Sequence, residues 1–268
     1  MTSPLLVRLA LGLLASAAIA AFALRRRALS PSGAAGALII GTCIWLGGGG
    51  AWFAVLFTFF VTSTLLGRVG RARKEAVKRE FSKGDTRDAL QALANGGIAA
   101  LAAIGMLLAP APWWAAAFLG AMATANGDTW ATELGVLSRT DPISLLRLRR
   151  VPRGTSGAVS SLGLAATAAG ALTIGIVAAA TAASFSTTPA RALVIALVAG
   201  TTGALADSLL GATIQAGFHC PRCQRECEAE VHHCGTTAAH VSGLRWFGND
   251  LVNAAATLAG ALIGAALA

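Results

Sequence analysis

The chain has 268 residues, of which 55% are hydrophobic and only 12% are charged, and its net charge is +9. Soluble domains usually carry about 25% charged residues, so this composition cannot cover a water-exposed surface and requires a lipid bilayer as partner. The basic residues cluster in short joins between apolar runs and are not spread over a face with interleaved aromatics, which argues against a nucleic-acid partner. The composition predicts an all-α, polytopic membrane protein.

Apolar runs long enough to cross a membrane follow one another along the whole chain, since a span needs roughly 17 to 25 residues. We predict about seven or eight transmembrane helices in a single integral membrane domain, residues 1–268, with spans near residues 5–24, 33–49, 51–67, 90–109, 113–137, 157–183, 190–217 and 243–267. The glycine run at residues 47–50 predicts a turn, and a re-entrant hairpin is the alternative for that pair of spans.

The basic residues lie in alternate loops between the predicted spans. Four basic clusters occupy residues 25–27, 68–87, 139–153 and 222–230, and the joins between them are almost uncharged. The positive-inside rule then places all four clusters in the cytoplasm, in a multi-pass protein of the cell membrane. The first apolar run precedes its arginines, whereas a secretory signal needs the opposite order, so we expect a retained helix with its N-terminus outside.

Ionisable residues within spans are costly in lipid and indicate function. The catalytic candidates are Asp128, Glu133, Asp207 and Asp250. At about 1.5 Å per residue, the three aspartates lie at similar depth in the cytoplasmic halves of their spans. We therefore expect them to meet in one pocket and to bind Mg²⁺ together with substrate phosphates. The alternative is that these groups only join helices by hydrogen bonds.

Several polar residues accompany the carboxylates. Arg87, Gln91 and Asn95 are four residues apart and share a helical face. Residues 154–157 (GTSG) follow several arginines and are predicted to open a helix. The N–H groups at the start of a helix can bind phosphate, although Ser and Thr also serve as plain N-caps. The candidate substrate- and phosphate-binding residues are Arg87, Gln91, Asn95, Asn126, Arg153, Gly154, Thr155, Ser156, Gly157, Asn249 and Asn253.

Cysteines and histidines concentrate at residues 219–235, in the last predicted cytoplasmic loop. The cytoplasm is reducing, so disulfides are not expected there. A Cys-x2-Cys pair followed by His and Cys is typical of a structural zinc site. The preferred ligands are Cys220, Cys223, His232 and Cys234, with His233 and Cys227 as alternatives for the fourth position.

Five motifs together resemble a known family. They are Arg87-x3-Gln91-x3-Asn95-Gly96, residues 126–135 (NGDTWATELG), residues 152–157 (PRGTSG), residues 206–211 (ADSLLG) and Asn249-Asp250-x2-Asn253. In combination they resemble the domain-of-unknown-function family 92, the transmembrane protein 19 family, which includes plant phytyl-phosphate kinases. More distantly they are similar to the dolichol and phytol kinases.

The resemblance implies transfer of a phosphoryl group from a nucleoside triphosphate, commonly CTP, to an isoprenyl monophosphate. Asp128 would hold Mg²⁺ with Asp207 or Asp250, and residues 154–157 would bind the donor phosphates. Arg87, Gln91 and Asn95 would bind the acceptor phosphate. Two other functions fit the same residues. One is a transporter of an anionic or lipid-linked solute. The other is a nucleotidyltransferase that makes a CDP-lipid and releases pyrophosphate.

Overall fold

A computed structural model of the chain describes residues 4–70, 74 and 86–268. Its long helices number seven in this described part. In chain order they are α1 (Pro4–Arg25), α2 (Pro31–Arg68), α3 (Ala89–Leu108), α4 (Pro112–Gly135), α5 (Ser161–Ala180), α6 (Pro189–Thr213) and α7 (Asn249–Ala266). A short 3-10 helix, Ala182–Phe185, joins α5 to α6.

Helix α2 is a hairpin of two antiparallel arms. Its backbone is helical except at Gly49, where φ is 68° and ψ is −159°, a conformation open almost only to glycine. Trp45 and Phe53 would be about 12 Å apart along a straight helix, yet their ring centroids are 5.2 Å apart. The chain therefore reverses at Gly49, which confirms the turn predicted from the glycine run.

Each arm of α2 is long enough to cross the bilayer, because about 18 residues rise about 27 Å and the hydrocarbon core is about 30 Å thick. Five of the described helices are long and apolar enough to span a membrane when α2 is counted as one helix. They are α1, α2, α3, α5 and α6. These helices confirm the predicted multi-pass α-helical class.

The two ends of the bundle differ. One end, here called the basic end, gathers the arginine-bearing joins, although the cluster at residues 68–87 lies partly outside the described residues. The other end is apolar and aromatic: the Trp52 ring stacks on Phe118 and on Phe185, and Trp52 Nε1 donates to the Ser184 carbonyl at 3.1 Å.

Helix α4 is the centre of the bundle. Its residues 115–127 are all buried, because α2, α3, α5, α6 and α7 surround it. Small residues permit this crowding. Gly203 of α6 and Gly260 of α7 both lie against the Thr124 hydroxyl so closely that neither position has room for a Cβ. Close approach through small residues replaces the hydrophobic effect as the basis of packing in lipid.

Short strands occupy the basic-end loops, where the sequence predicted none. Strands β1 (Ile143–Ser144) and β2 (Ala158–Val159) pair antiparallel. Strand β3 (Gly217–Cys220) lies between β4 (Arg225–Cys227) and β5 (Ala239–Ser242) in an antiparallel sheet. Strand β2 and the first residue of β3 use residues that had been assigned to spans, and α7 begins only at Asn249, so the predicted spans at 157–183, 190–217 and 243–267 are too long at their basic ends.

Candidate functional site

Asp128 and Asp207 face each other between α4 and α6. The two helices run in the same direction, and Gly203 packs directly on Thr124. Asp207 and Asp128 each lie four residues, one helical turn, beyond that contact toward the basic end. The charge of Asp128 consequently acts directly on Asp207. Both aspartates lie about 10 Å from the ends of their helices at 1.5 Å per residue, which is the shared depth that the sequence predicted.

A third carboxylate, Glu228, joins this pair from the loop after β4. Its charge also acts on Asp207. Burial raises the pKa of Glu228 to about 7, and polar contacts with Gln215 and Ser156 oppose that rise. Glu228 was not predicted from the sequence, because it lies in a loop where no helical periodicity links it to the spans. We call Asp128, Asp207 and Glu228 the acidic group.

The acidic group has no positive partner in the part of the chain that the structure describes. Asp207 Oδ2 is buried there without a hydrogen-bond partner, and the ion pairs formed by described residues involve other carboxylates. Converging carboxylates of like charge are unfavourable unless a proton or a cation neutralises them. Carboxylate oxygens in this arrangement are suited to a hard divalent cation such as Mg²⁺.

Asp250, Asn249 and Asn253 are placed differently from the prediction. Helix α7 begins at Asn249, not near residue 243, because residues 239–242 form β5 and Gly243 turns the chain with φ of 72°. Asp250 therefore lies in the first turn of α7, and the prediction that it shares the depth of Asp128 is wrong. Helix α7 packs against both α3 and α4.

The string Gly154, Thr155, Ser156 and Gly157 does not open a helix, contrary to the prediction. Gly157 has φ of 68° and leads into β2, and α5 begins at Ser161 with Ser160 as its N-cap. The Ser156 hydroxyl instead donates to Gln215 Oε1 at 3.0 Å. The string still borders the acidic group, because Ser156 and Gln215 both contact Glu228.

Arg153, predicted to neutralise phosphate, lies at the surface of the same loop. Its Nε is 3.4 Å from Asp141 Oδ1, and its Nη2 donates to the Arg139 carbonyl at 3.2 Å. Both partners of this ion pair are partly exposed. Such a pair contributes little to stability and exchanges easily, so Arg153 is available to an incoming anion.

Glu133 and Asn126 face the other side of α4 and have structural partners. Lys74 Nζ lies 2.7 Å from Glu133 Oε2 in a buried ion pair and also donates to the Leu66 carbonyl. Asn126 is fully buried; its Nδ2 donates to the Gly170 carbonyl and its Oδ1 accepts from Thr62. Asn126 therefore joins helices and is not placed to bind substrate, and Glu133 is neutralised by an internal lysine that the sequence analysis did not consider.

Arg87, Gln91 and Asn95 lie at the edge of an apolar pocket between α1, the two arms of α2, and α3. Arg87 Nη1 donates to Ser63 Oγ at 3.0 Å, and its guanidinium lies over the Phe59 ring. Burial lowers the pKa of Arg87, and the charge of Glu133 opposes that shift. The pocket continues from these three residues along aliphatic and aromatic side chains toward Gly41 and Phe53.

The four preferred cysteine and histidine ligands come together, as their spacing predicted. Ligand atoms of Cys220, Cys223, His232 and Cys234 all lie within 4.8 Å of one another. Cys227 lies elsewhere, in a small apolar cluster with Phe218. The structure thus groups His232, and neither of the two alternatives, with the three cysteines.

These features define a class: a multi-pass helical membrane protein with carboxylates between its helices and an apolar pocket. Within that class, the chain belongs to the family described as integral membrane protein DUF92, whose model matches residues 14–261.

Three relatives from two organisms extend the match. Protein PGR of Arabidopsis thaliana is 31% identical over 92% of this chain and 91% of its own length. An uncharacterized membrane protein of Methanocaldococcus jannaschii is 31% identical over 65% of this chain and 72% of its own length. Protein VTE6, chloroplastic, of Arabidopsis thaliana is 30% identical over 49% of this chain and 41% of its own length. No solved structure matches the chain.

Proposed function

We propose that this protein is a membrane-embedded kinase that transfers a phosphoryl group from a nucleoside triphosphate to an isoprenyl monophosphate. The observation that carries the proposal is the convergence of Asp128, Asp207 and Glu228 without a positive partner among the described residues. Phosphoryl transfer needs positioning and charge neutralisation more than it needs a strong base. The resemblance of the five sequence motifs to those of phytyl-phosphate kinases supports the same reaction class.

The acidic group would hold Mg²⁺, which would neutralise and orient the phosphates of the donor nucleotide. Thr155, Ser156 and Arg153 would contact those phosphates, because their loop borders Glu228 and lies at the basic end. In the reaction, an oxygen of the acceptor phosphate bonds to the γ-phosphorus, and the bond to the β–γ bridging oxygen breaks. The products are an isoprenyl diphosphate and a nucleoside diphosphate.

The pocket between α1, α2 and α3 would bind the lipid. Its apolar walls suit an isoprenoid chain, and Arg87, Gln91 and Asn95 at its edge would bind the acceptor phosphate. A guanidinium offers five N–H donors, and Ser63 occupies one of those of Arg87. Asn249, Asp250 and Asn253 would line the path between this phosphate and the acidic group, because α7 packs on both α3 and α4.

The test is a reaction panel with the full chain purified in detergent or nanodiscs. Phytyl phosphate and shorter prenyl phosphates are each supplied with CTP, ATP, UTP or GTP and Mg²⁺, and products are identified by mass spectrometry. We expect a lipid diphosphate and a nucleoside diphosphate from at least one pairing. A CDP-lipid with pyrophosphate would instead identify a nucleotidyltransferase, and no turnover with any pairing would contradict the proposal.

Variants decide whether the proposed site is responsible. Asp207→Asn and Glu228→Gln remove charge from the acidic group, whereas Glu226→Gln makes the same change at an exposed position of β4, two residues away. Loss of product in the first two variants and retention in the third supports the assignment. Equal activity in all three contradicts it.

A further inference from the structure

The cluster of Cys220, Cys223, His232 and Cys234 lies outside the proposed reaction, at the basic end of the bundle. Cys220 Sγ is 3.6 Å from Cys234 Sγ, and His232 Nδ1 is 3.2 Å from Cys234 Sγ. Ligands of a tetrahedral zinc with Zn–S bonds of about 2.3 Å are separated by about 3.8 Å. The spacing in the structure is therefore close to that of a four-coordinate site with three thiolates and one imidazole.

The backbone builds two turns around this cluster. After the Cys-Pro-Arg-Cys segment, Gln224 takes a left-handed conformation with φ of 54° and its N–H donates to the Cys220 carbonyl at 2.8 Å. In the second turn, Gly235 has φ of 78° and its N–H donates to the His232 carbonyl at 2.8 Å. Left-handed conformations at both turns bring the ligand side chains to one side.

The sheet that carries the cluster has too little core to be stable on its own. Its buried apolar cluster consists of only four residues, of which one is large: Ala216, Phe218, Cys227 and Ala238. Small units of this kind usually need a metal or disulfides to fold. All five cysteines of the chain are free thiols.

Glu228 lies between the two ligand pairs. Cys220 and Cys223 precede it, and His232 and Cys234 follow it. Strand β4, which pairs with β3 through Cys220 and Arg225, ends one residue before Glu228. A metal at the cluster would close the loop that contains Glu228 and would lower the entropic cost of ordering it.

We propose that the Cys220, Cys223, His232 and Cys234 cluster binds a structural zinc ion that holds Glu228 against Asp207. The zinc is closed to substrate, because four protein ligands leave no open position. The second half of this statement rests on the proposed function of the acidic group, whereas the first half does not.

Metal content tests the zinc site directly. The full chain, purified with a tag free of histidine, is analysed by inductively coupled plasma mass spectrometry, with an expected content of about one zinc per chain. Cys223→Ser and Cys234→Ser should lose it, whereas Cys43→Ser in α2 and Cys227→Ser outside the cluster should keep it. Absence of zinc from the wild type, or retention in both ligand variants, overturns the proposal.

A second measurement uses the wild type alone, so that it does not depend on the folding of variants. Removal of zinc with a chelator should accelerate tryptic cleavage after the exposed residue Arg222 by about tenfold or more, because local opening becomes easier. Added zinc should restore protection. Cleavage that is unchanged by the chelator, after zinc loss has been verified, contradicts a structural role.

The link to Glu228 is tested with Mn²⁺ as a probe of the acidic group. Zinc removal and Glu228→Gln should each weaken Mn²⁺ binding by about tenfold, and together they should weaken it no further, since they remove the same interaction. Independent, additive losses, or no effect of zinc removal, would contradict the positioning of Glu228. Because zinc content requires neither nucleotide nor lipid, a failed kinase reaction leaves the zinc result readable.

Discussion

Carboxylates on the two sides of helix α4 have opposite electrostatic environments. Glu133 is paired with Lys74 at 2.7 Å in a buried ion pair. Asp128, five residues earlier, faces Asp207, which in turn meets Glu228, and the described residues supply this group with no cation. A carboxylate neutralised by a lysine of the same chain connects helices through an ion pair. A group of like-charged carboxylates instead requires a cation or a proton from outside the chain. The comparison separates a structural carboxylate from a ligand-binding group on one helix.

Disrupting the ion pair between Glu133 and Lys74 should have the largest effect on stability. Glu133→Gln leaves Lys74 buried without its counter-charge, which costs about 3–5 kcal/mol for pairs of this kind. Thermal unfolding in detergent should therefore show a large loss in Tm. The double variant Glu133→Leu with Lys74→Met should regain most of it, and an unchanged Tm in Glu133→Gln would show that the pair is not structural.

Changes on the acidic side should reduce activity and spare stability. Asp128→Asn should lower kcat/KM by about 10²–10³-fold, the usual loss when a preorganised electrostatic contact is removed. Its Tm should stay the same or rise, because the substitution relieves repulsion from Asp207. A large fall in Tm with little change in kcat/KM would reverse the assignment of the two sides.

Arg87 should affect lipid binding and leave the chemical step nearly intact. Arg87→Gln removes charged hydrogen bonds to the acceptor phosphate, worth about 1.5–3 kcal/mol, so KM for the lipid should rise about tenfold to a hundredfold. Steady-state kinetics with varied lipid and saturating nucleotide measures this. An unchanged KM for the lipid, or an increase only in the KM for nucleotide, would place the acceptor elsewhere.

The smallest effect concerns the spacing of α4 and α6. Gly203→Ala forces a methyl group against Thr124, and overpacking of this kind costs about 1–3 kcal/mol. It should also weaken Mn²⁺ binding, because Asp207 is displaced from Asp128. Gly97→Ala, whose methyl would only touch Leu93 at 4.0 Å, is the matched control. Equal effects of the two changes on Mn²⁺ binding would contradict the dependence on helix spacing.

The sequence predicted the pairing of Asp128 with Asp207, because both lie in regular helices and depth there follows from residue count. It failed for Asp250, because the apolar residues Leu244 and Trp246 resemble the start of a span but are exposed in a loop. The prediction that residues 154–157 open a helix failed for a similar reason. Gly157 has a left-handed conformation that cannot be inferred from the residue types, and α5 begins only after it.

The Cys and His cluster was predictable, apart from the choice of its fourth ligand, because two local turns bring its ligands together. Glu228 and Lys74 were not, because each meets its partner through tertiary packing between distant segments: Glu228 meets Asp207, and Lys74 meets Glu133. Periodicity within one helix or one loop carries no information about such meetings. The missing part of the site is therefore the part that depends on how helices and loops pack together.

Equilibrium binding of Mn²⁺, followed by electron paramagnetic resonance, tests without any substrate whether Asp128 and Asp207 form a divalent cation site. We expect saturable binding at about one site per chain in the wild type and in Glu226→Gln. We expect loss of that binding in both Asp128→Asn and Asp207→Asn. Binding that is the same in all four proteins, or absent from the wild type, would contradict it.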